Sequence, residues 1–267
     1  MPSPADPIAF HLGPLEVRWY AIFILTGIML GVWVASRVAG WRGDDPNFIA
    51  DVAHIVILAA VLGARLYFVI LEWSYFSDHP GKIIGLQLHG LTIHGALAGG
   101  ILAFWLICRL QGRSFLHWAD TIAIGIPIGQ AIGRLGNWAN QEAFGRPSDV
   151  PWAVRIDPAN RPAQYADAST FHPTFLYEMI CSLILALGLW LILRRFSRMP
   201  GWRDGTLIAL YLIGYGLIRW LIESLRTDSM RIGPWPAAYW LSAALITVGG
   251  AILFTRYRDR EHADRSA

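Results

Sequence analysis

Long apolar stretches recur along the chain and constrain its fold more than any other feature. They cover residues 19–38, 49–71, 91–110, 118–132, 175–193, 206–222 and 237–254. A helix needs about 20 predominantly apolar residues to cross a hydrocarbon core, and inside lipid it satisfies its own backbone polar groups. The pattern predicts an all-α polytopic membrane protein with about seven transmembrane helices, of which the fourth is short and contains Pro127.

The composition agrees with a membrane protein. Of the 267 residues, 55% are hydrophobic and 15% are charged, whereas soluble domains carry about 25% charged residues. The net charge of +3 is what cytoplasmic loops give to any membrane protein, so we expect no nucleic-acid partner. We predict a single integral-membrane domain over residues 1–267.

The distribution of arginines indicates the orientation. Seven crossings place the two ends of the chain on opposite faces, and an external N-terminus puts more basic residues in the cytoplasmic loops and tail than outside. Cytoplasmic loops carry the excess of Lys and Arg, so the N-terminus is predicted outside and the C-terminus inside. The long loop at about 134–174 then forms a small external cap between the fourth and fifth helices, and about 256–267 a cytoplasmic tail.

The sixth apolar stretch carries a polar stripe. Tyr215, Arg219, Glu223 and Arg226 are spaced four, four and three residues apart, so they share one helix face. Ionisable side chains inside a membrane cost free energy unless they are paired or hydrated, which makes this face a candidate binding surface. A purely structural ion pair between Arg219 and Glu223, at the i,i+4 spacing, is the alternative.

A second polar group follows the fourth stretch, within residues 133–146. It contains Arg134, Asn137, Asn140, Gln141, Glu142 and Arg146. Guanidinium groups donate in a fork that matches phosphate oxygens, amide side chains can hold a glycerol hydroxyl, and glycines allow close backbone approach. An ordinary polar loop leaving the membrane is the alternative.

His94 begins the third stretch and is a candidate proton acceptor, although a histidine here can equally be a hydrogen-bonded structural group. Weaker signals come from His172, Glu178 and Tyr20. With the N-terminus outside, side chains from five segments reach the same depth: Tyr20, His94, Arg134, His172 and Arg219. We therefore predict a shared polar cavity, open to the outer leaflet and suited to a phosphate.

Small residues also recur at every fourth position. The pairs Gly27 and Gly31, Gly95 and Gly99, and the run Gly125, Gly129 and Gly133 have this spacing. It predicts close helix packing without catalytic meaning.

Five segments in order along the chain resemble the prolipoprotein diacylglyceryl transferase family: IAFHLGPLEVRWYAI, HGALAGG, GRLGNWANQEAFGR, HPTFLYE and YGLIRWLIESLRTD. The resemblance implies a multi-pass enzyme of the bacterial inner (cytoplasmic) membrane whose active site, N-terminus and cap face the periplasm. It implies transfer of the sn-1,2-diacylglyceryl group from phosphatidylglycerol, a membrane lipid, to the lipobox cysteine of prolipoprotein signal peptides. A thioether forms and glycerol phosphate leaves.

The resemblance also implies roles for single residues. Arg134 and Arg219 would hold the lipid phosphate, and the same helix stripe offers Tyr215 and Arg226 as further substrate-binding candidates. Residues shaping the head-group site would be Asn137, Glu142 and Gly145, and further essential family positions are matched by Tyr20, His94 and Glu223. The family pattern more often has glycine where this chain has Gln141, a difference that affects the turn. At the positions of Trp138 and Ala139 the family pattern more often has an aromatic and an aliphatic residue, respectively.

Chemistry at the site needs a thiolate and a neutralised leaving phosphate. His94 is the hypothetical general base, helped by Glu142 or Glu223, and a His94 that only positions lipid is the alternative. We expect no metal and no cofactor. A lipid or small-molecule transporter with an arginine-lined cavity is the competing function, and a scaffold without chemistry is a third.

Overall fold

The structure is a computed structural model that describes residues 1–2, 4, 6–13, 15–84 and 90–265. Its helices are α1 Trp19–Arg42, α2 Asn47–Leu71, α3 Trp73–Asp78, α4 Ile93–Leu110, α5 Phe115–Ile122, α6 Gly125–Ala139, α7 Thr174–Phe196, α8 Thr206–Glu223 and α9 Ala237–Arg265. Its strands form antiparallel pairs: β1 Ile8–Leu12 with β2 Leu15–Arg18, β3 Val154–Arg155 with β4 Thr170–Phe171, and β5 Arg231–Ile232 with β6 Trp235–Pro236. Single 3-10 turns occupy Pro80–Lys82, Pro158–Asn160 and Ala163–Tyr165.

The chain is a mostly helical polytopic membrane protein. Within the described ranges, 6 helices are long and apolar enough to cross a membrane, namely α1, α2, α4, α7, α8 and the part of α9 up to Arg258. Each of the six corresponds to a stretch predicted from hydropathy. Helix α9 continues through most of the predicted tail to Arg265, and the last two tail residues, 266 and 267, lie outside the described residues.

The predicted fourth span differs from the expectation of one helix at 118–132. It consists of two shorter helices, α5 and α6, separated at 123–124. Proline lacks a backbone N–H and fits the first turn of a helix, and Pro127 lies in the first turn of α6. The proline therefore suits the start of a new helix better than the middle of a continuous one.

The structure divides into two compact units, and the first comprises residues 1–35 and 119–267. In it, α6 packs on α7, α7 on α8, and α8 on α9. Gly27 and Gly31 of α1 face Gly129 and Gly125 of α6, so closely that an added Cβ at Gly27 would lie 2.7 Å from the Gly129 carbonyl oxygen. The predicted role of these glycines in helix packing is confirmed.

This close approach predicts that Gly27→Val destabilises the protein by about 1–3 kcal/mol, because the added side chain forces α1 and α6 apart. Thermal unfolding in detergent measures the effect. Gly188→Val is the matched control, since an added Cβ at Gly188 has no atom of the described residues within 4 Å. Equal melting temperatures for the two variants would contradict the packing role.

A buried aspartate connects α5 to the start of α8 within the first unit. Asp120 is 0% exposed, and its carboxylate accepts hydrogen bonds from the backbone N–H groups of Gly205 and Ile208, both at 2.9 Å. The first N–H groups of a helix lack partners within the helix, and a carboxylate there also interacts favourably with the helix dipole. Asp120 therefore fixes the end of α8 that lies away from Arg219.

The second unit comprises residues 36–118. Helices α2 and α4 pack along most of their length, with Gly63 facing Gly95 and Gly99. The unit also contains a polar link, in which Arg42 Nη2 lies 3.0 Å from Nδ1 of His117 and Asp44 Oδ2 lies 2.8 Å from Nε2 of the same ring. This link joins the end of α1 to the beginning of α5.

The segment predicted as a cap, 134–174, begins within α6 and ends at the start of α7. Between the two helices it forms the β3–β4 pair and the two 3-10 turns. Its apolar side chains form a small core with the first turn of α7: Phe144, Val154, Ile156, Phe171 and Phe175. The core attaches this segment to α7.

Candidate active site

A buried carboxylate, Glu178, lies at the centre of the polar side chains of the first unit. Its side chain is 1% exposed. Its Oε1 accepts hydrogen bonds from Arg219 Nη1 at 2.7 Å and from Arg226 Nη1 at 3.2 Å. Its Oε2 forms an ion pair with Arg134 Nη2, although the angles are not those of a well-aligned hydrogen bond. Three guanidinium groups thus converge on one carboxylate.

The groups of this cluster come from three helix ends. Arg134 lies in the last two turns of α6, Glu178 in the second turn of α7, and Arg219 in the last two turns of α8. Arg226 follows α8 directly. Since α6 ends, α7 begins and α8 ends at the cluster, the fold brings to Glu178 arginines that are 41 to 48 residues away from it in the sequence.

The polar stripe of α8 is part of the cluster. Arg219 Nη2 donates to Glu223 Oε2 at 2.7 Å, and the Glu223 side chain is 2% exposed. The i,i+4 ion pair considered from the sequence is therefore present. It occupies one terminal nitrogen of Arg219 while the other contacts Glu178, so the pair also orients the guanidinium within the cluster.

The positive and negative charges of the cluster balance. Three guanidinium groups face three carboxylates, those of Glu178 and Glu223 in the buried part and that of Asp228 at the outer edge. At the outer edge Arg226 also donates from Nε and Nη2 to Asp228, whose side chain is 46% exposed. Burial opposes the charge of Arg226, but the carboxylates of Asp228, Glu178 and Glu223 outweigh it and raise the Arg226 pKa. These carboxylates therefore stabilise the charged form of Arg226.

A chain of hydrogen bonds leads from Arg134 to an exposed carboxylate. Arg134 Nη1 donates to Asn137 Oδ1 at 3.2 Å, and Asn137 Nδ2 donates to Glu142 Oε1 at 2.9 Å. Asn140 Nδ2 lies 3.4 Å from the same oxygen. The polar residues at the end of α6 are therefore organised around Arg134.

The turn after α6 adopts an unusual backbone. Gln141 has φ 53° and Ala143 has φ 56°, the left-handed region that favours glycine. Gln141 is the position at which the resemblance led us to expect glycine. Its side chain forms two hydrogen bonds with Asp157, from Gln141 Nε2 to Asp157 Oδ2 and from Asp157 N to Gln141 Oε1, both at 2.7 Å. These bonds offset the backbone strain and fix the turn.

We expect Gln141→Ala to lower the free energy of unfolding by about 1–3 kcal/mol, because it removes both hydrogen bonds and keeps the left-handed backbone. Gln141→Gly loses the same bonds but recovers roughly 1 kcal/mol of backbone strain. Thermal unfolding should therefore rank wild type first, the glycine variant second and the alanine variant last. An alanine variant that melts above the glycine variant would contradict this account of the turn.

Gly145 lies where the chain passes between the start of α7 and the end of α8. Its N–H donates to the His172 carbonyl, and the next N–H, of Arg146, donates to the Leu225 carbonyl, both at 2.8 Å. A Cβ at position 145 would lie 2.7 Å from the Leu225 oxygen and 2.9 Å from the His172 Cβ. Glycine is required here by packing, and its role in shaping a head-group site stays a prediction.

The two tyrosines predicted for the site lie on helices that form the cluster or contact them. Tyr20 packs against Gly136 of α6, where an added Cβ would lie 2.7 Å from the tyrosine ring. Tyr215 lies one turn before Arg219 and stacks on Tyr211 with ring centroids 5.9 Å apart. Their contact with substrate stays a prediction.

His94 belongs to the second unit. It lies in the first turn of α4 with an exposed side chain, and its ring centroid is 6.3 Å from that of Tyr67. Its expected convergence with Arg134 and Arg219 therefore stays a prediction.

Glu178 is the main residue that the sequence analysis did not include among the site residues. An acidic side chain so close to the start of an apolar helix was a weak signal by itself. The cost of an ionisable group in a membrane was the one available indication that Glu178 has partners. The sequence alone could not show that these partners are arginines of two other segments, Arg134 of α6 and Arg219 and Arg226 at the end of α8.

Comparisons with known proteins show the family to which this chain is similar. A family model described as prolipoprotein diacylglyceryl transferase matches residues 7–255. Three similar proteins are each named phosphatidylglycerol--prolipoprotein diacylglyceryl transferase. The protein from Parasynechococcus marenigrum (strain WH8102) is 42% identical over 253 residues, which cover 91% of this chain and 91% of the relative. The protein from Trichormus variabilis (strain ATCC 29413 / PCC 7937) is 40% identical over 252 residues, covering 94% and 89%.

The third protein, from Symbiobacterium thermophilum, is 41% identical over 257 residues, which cover 96% of this chain and 94% of the relative. The matches extend over nearly the full length of both chains and include every segment of the arginine cluster. The chain therefore belongs to the prolipoprotein diacylglyceryl transferase family.

Proposed function

We propose that this protein transfers the sn-1,2-diacylglyceryl group of phosphatidylglycerol to the thiol of a lipobox cysteine in a prolipoprotein signal peptide. The bond between the glycerol carbon and its phosphate oxygen breaks, and a bond between that carbon and the cysteine sulfur forms. The thiol proton passes to a base, and glycerol phosphate leaves with the electron pair of the broken bond. The observation that supports this proposal is that, in a chain of this family, Arg134 and Arg219 both contact the buried carboxylate of Glu178.

The arginine cluster supplies what the leaving group needs. Negative charge grows on the phosphate as the carbon–oxygen bond breaks, and preorganised donors aimed at that charge lower the barrier. Arg134 and Arg219 hold the phosphate through forked donors. Arg226 adds a third positive charge, and the buried contacts keep these groups in place before substrate arrives. Tyr215 lies one turn deeper, beside the glycerol backbone of the lipid.

The head group of phosphatidylglycerol has a free glycerol, and the polar residues after α6 suit it. Asn137 and Asn140 offer amide groups, and Glu142 accepts hydrogen bonds at the exposed end of the chain that begins at Arg134. In this arrangement the phosphate lies at the arginines and the terminal glycerol points along the polar turn.

The thiol must lose its proton to become the nucleophile. His94 is our candidate for the general base, with Glu142 or Glu223 as helpers, and Tyr20 orients the substrate. Hydrogen bonding of His94 to the lipid, with the thiol deprotonated in the field of the arginines, is the alternative role for the same residue.

Two contacts support a seventh crossing made jointly by α5 and α6. Asp120 of α5 contacts the first residues of α8, whereas Arg134 of α6 meets Arg219, near the end of α8, at Glu178. Helix α8 has 18 residues and is thus about 27 Å long. The α5–α6 pair then runs from one face of the membrane to the other.

Seven crossings, together with the arginine distribution, support an external N-terminus and a cytoplasmic C-terminus. In this orientation the cluster, and the cap over residues 134–174, face the periplasm from the inner membrane. This arrangement fits both substrates, because phosphatidylglycerol lies in the membrane and the signal peptide enters it during secretion. One membrane-embedded domain over residues 1–267 performs the whole reaction.

The proposed activity is tested with the purified full-length protein in phosphatidylglycerol nanodiscs and a synthetic lipobox peptide. We expect the peptide to gain the mass of one diacylglyceryl group and to lose its free thiol, with equimolar glycerol phosphate released. A cysteine-to-serine peptide is the control for the acceptor. Lipid movement across proteoliposomes without thioether product would identify a transporter. The absence of both product and lipid movement would indicate a scaffold without chemistry.

A further inference from the structure

We propose that Glu178 is a positioning residue that competes with the substrate phosphate for the same arginine donors, and that this competition sets how readily glycerol phosphate leaves. The inference rests on the proposed function, which supplies the phosphate. Its basis is the arrangement in which one buried carboxylate contacts Arg134, Arg219 and Arg226.

A carboxylate and a phosphate use the same kind of guanidinium donor, and both accept forked hydrogen bonds. Both oxygens of Glu178 have arginine partners, so the carboxylate occupies the place at which three positive charges meet. An incoming phosphate must share these donors with Glu178 or take some of them over.

The three arginines face three carboxylates, those of Glu178 and Glu223 in the buried part of the cluster and that of Asp228 at its outer edge, so the charges balance. Without the charge of Glu178 one positive charge is in excess. Charges interact more strongly where little water screens them, so the cluster would then bind a phosphate more tightly.

The guanidinium groups of Arg134, Arg219 and Arg226 repel each other, and Glu178 holds them at one locus. Loss of its charge should therefore both displace the donors, which slows the chemical step, and strengthen binding of the phosphate product. A salt bridge that only stabilised the fold would instead weaken product binding together with stability.

The experiment uses the full-length protein in phosphatidylglycerol nanodiscs with a lipobox peptide. For Glu178→Gln we expect kcat to fall about tenfold or more, while the inhibition constant for added glycerol phosphate falls about fivefold and KM for phosphatidylglycerol does not rise. Glu16→Gln is the matched control, because it removes one carboxylate that is 51% exposed and lies outside the cluster. It should leave kcat and the inhibition constant within twofold of wild type.

Three results would overturn the proposal for Glu178. They are an unchanged inhibition constant in Glu178→Gln, a raised one, or wild-type kcat. If Glu178→Gln is not recovered from membranes, Glu178→Asp decides, because it keeps the charge and shortens the side chain. It should bind glycerol phosphate within twofold of wild type with a reduced kcat, and a fivefold change in that affinity would overturn the competition.

If the protein does not catalyse the proposed transfer, the experiment gives a result that differs from all of these. In that case the wild-type protein forms no thioether product, and kcat cannot be compared. Calorimetric titration of glycerol phosphate into the wild-type protein and Glu178→Gln then tests the competition directly. Tighter binding by the variant supports the competition, and equal or weaker binding overturns it.

Discussion

Arg134→Ala and Arg219→Ala are each expected to remove most of the transfer activity while the protein still inserts into the membrane. Loss of one preorganised donor to a developing oxyanion costs roughly 10²–10³-fold in kcat in other enzymes. Glu178 keeps two arginine partners in either variant. In Arg219→Ala, however, the buried Glu223 carboxylate loses its ion pair, so we expect this variant to be the less stable of the two. The measurement is kcat/KM in phosphatidylglycerol nanodiscs, normalised to the folded protein recovered from membranes.

Lysine variants and a remote arginine make this test specific. Arg134→Lys and Arg219→Lys keep the charge but lose the forked donors, so we expect activity between that of the alanine variants and wild type. Arg231→Ala is the matched control, because Arg231 is an exposed arginine of β5 that donates to the Pro234 carbonyl. Normal transfer by an alanine variant of Arg134 or Arg219 would rule out the phosphate role of that residue.

His94→Asn is expected to reduce kcat by about 10²–10⁴-fold at neutral pH if His94 removes the thiol proton. Asparagine keeps a hydrogen-bonding group of similar size but cannot take up a proton. The defect should shrink as the pH rises towards about 8.5, where a cysteine thiol ionises without a base. Steady-state rates with the lipobox peptide between pH 6.5 and 9 measure this change.

The same pH series separates the two roles considered for His94. A constant defect at all pH values would favour a histidine that positions lipid by hydrogen bonding. Full activity of His94→Asn would refute the base role. His79→Asn serves as the control, because its ring stacks on Tyr75 in α3 and lies outside the proposed reaction.

Hydropathy sufficed to predict the long helices to within a few residues, except that α9 continues beyond the predicted end at 254 to Arg265. The stretch 206–222 is helix Thr206–Glu223, and 49–71 is helix Asn47–Leu71. The division of 118–132 into α5 and α6 was not predictable in the same way. An apolar segment has the same hydropathy whether it is one helix or two, and the position of Pro127 in a first turn becomes clear only from the backbone.

The residues of the candidate site that the sequence could predict are charged residues within apolar stretches. Arg134 and Arg219 were identified because charge within apolar sequence costs free energy, and the structure brings both onto one carboxylate. Glu178 had the same property, but nothing near it in sequence indicated its partners. Those partners lie at least 41 residues away, and only packing of the helix ends assembles them. The place of His94 stays a prediction.

The hydrogen bonds between Gln141 and Asp157 have an evolutionary consequence. Homologues that carry glycine at position 141 adopt the left-handed backbone without strain, so natural selection should leave their residue 157 free to drift. Lineages that acquired glutamine depend on a partner, and their residue 157 should remain aspartate or a similar acceptor. We therefore expect the two positions to change together across the phylogeny, as pairs in direct contact do.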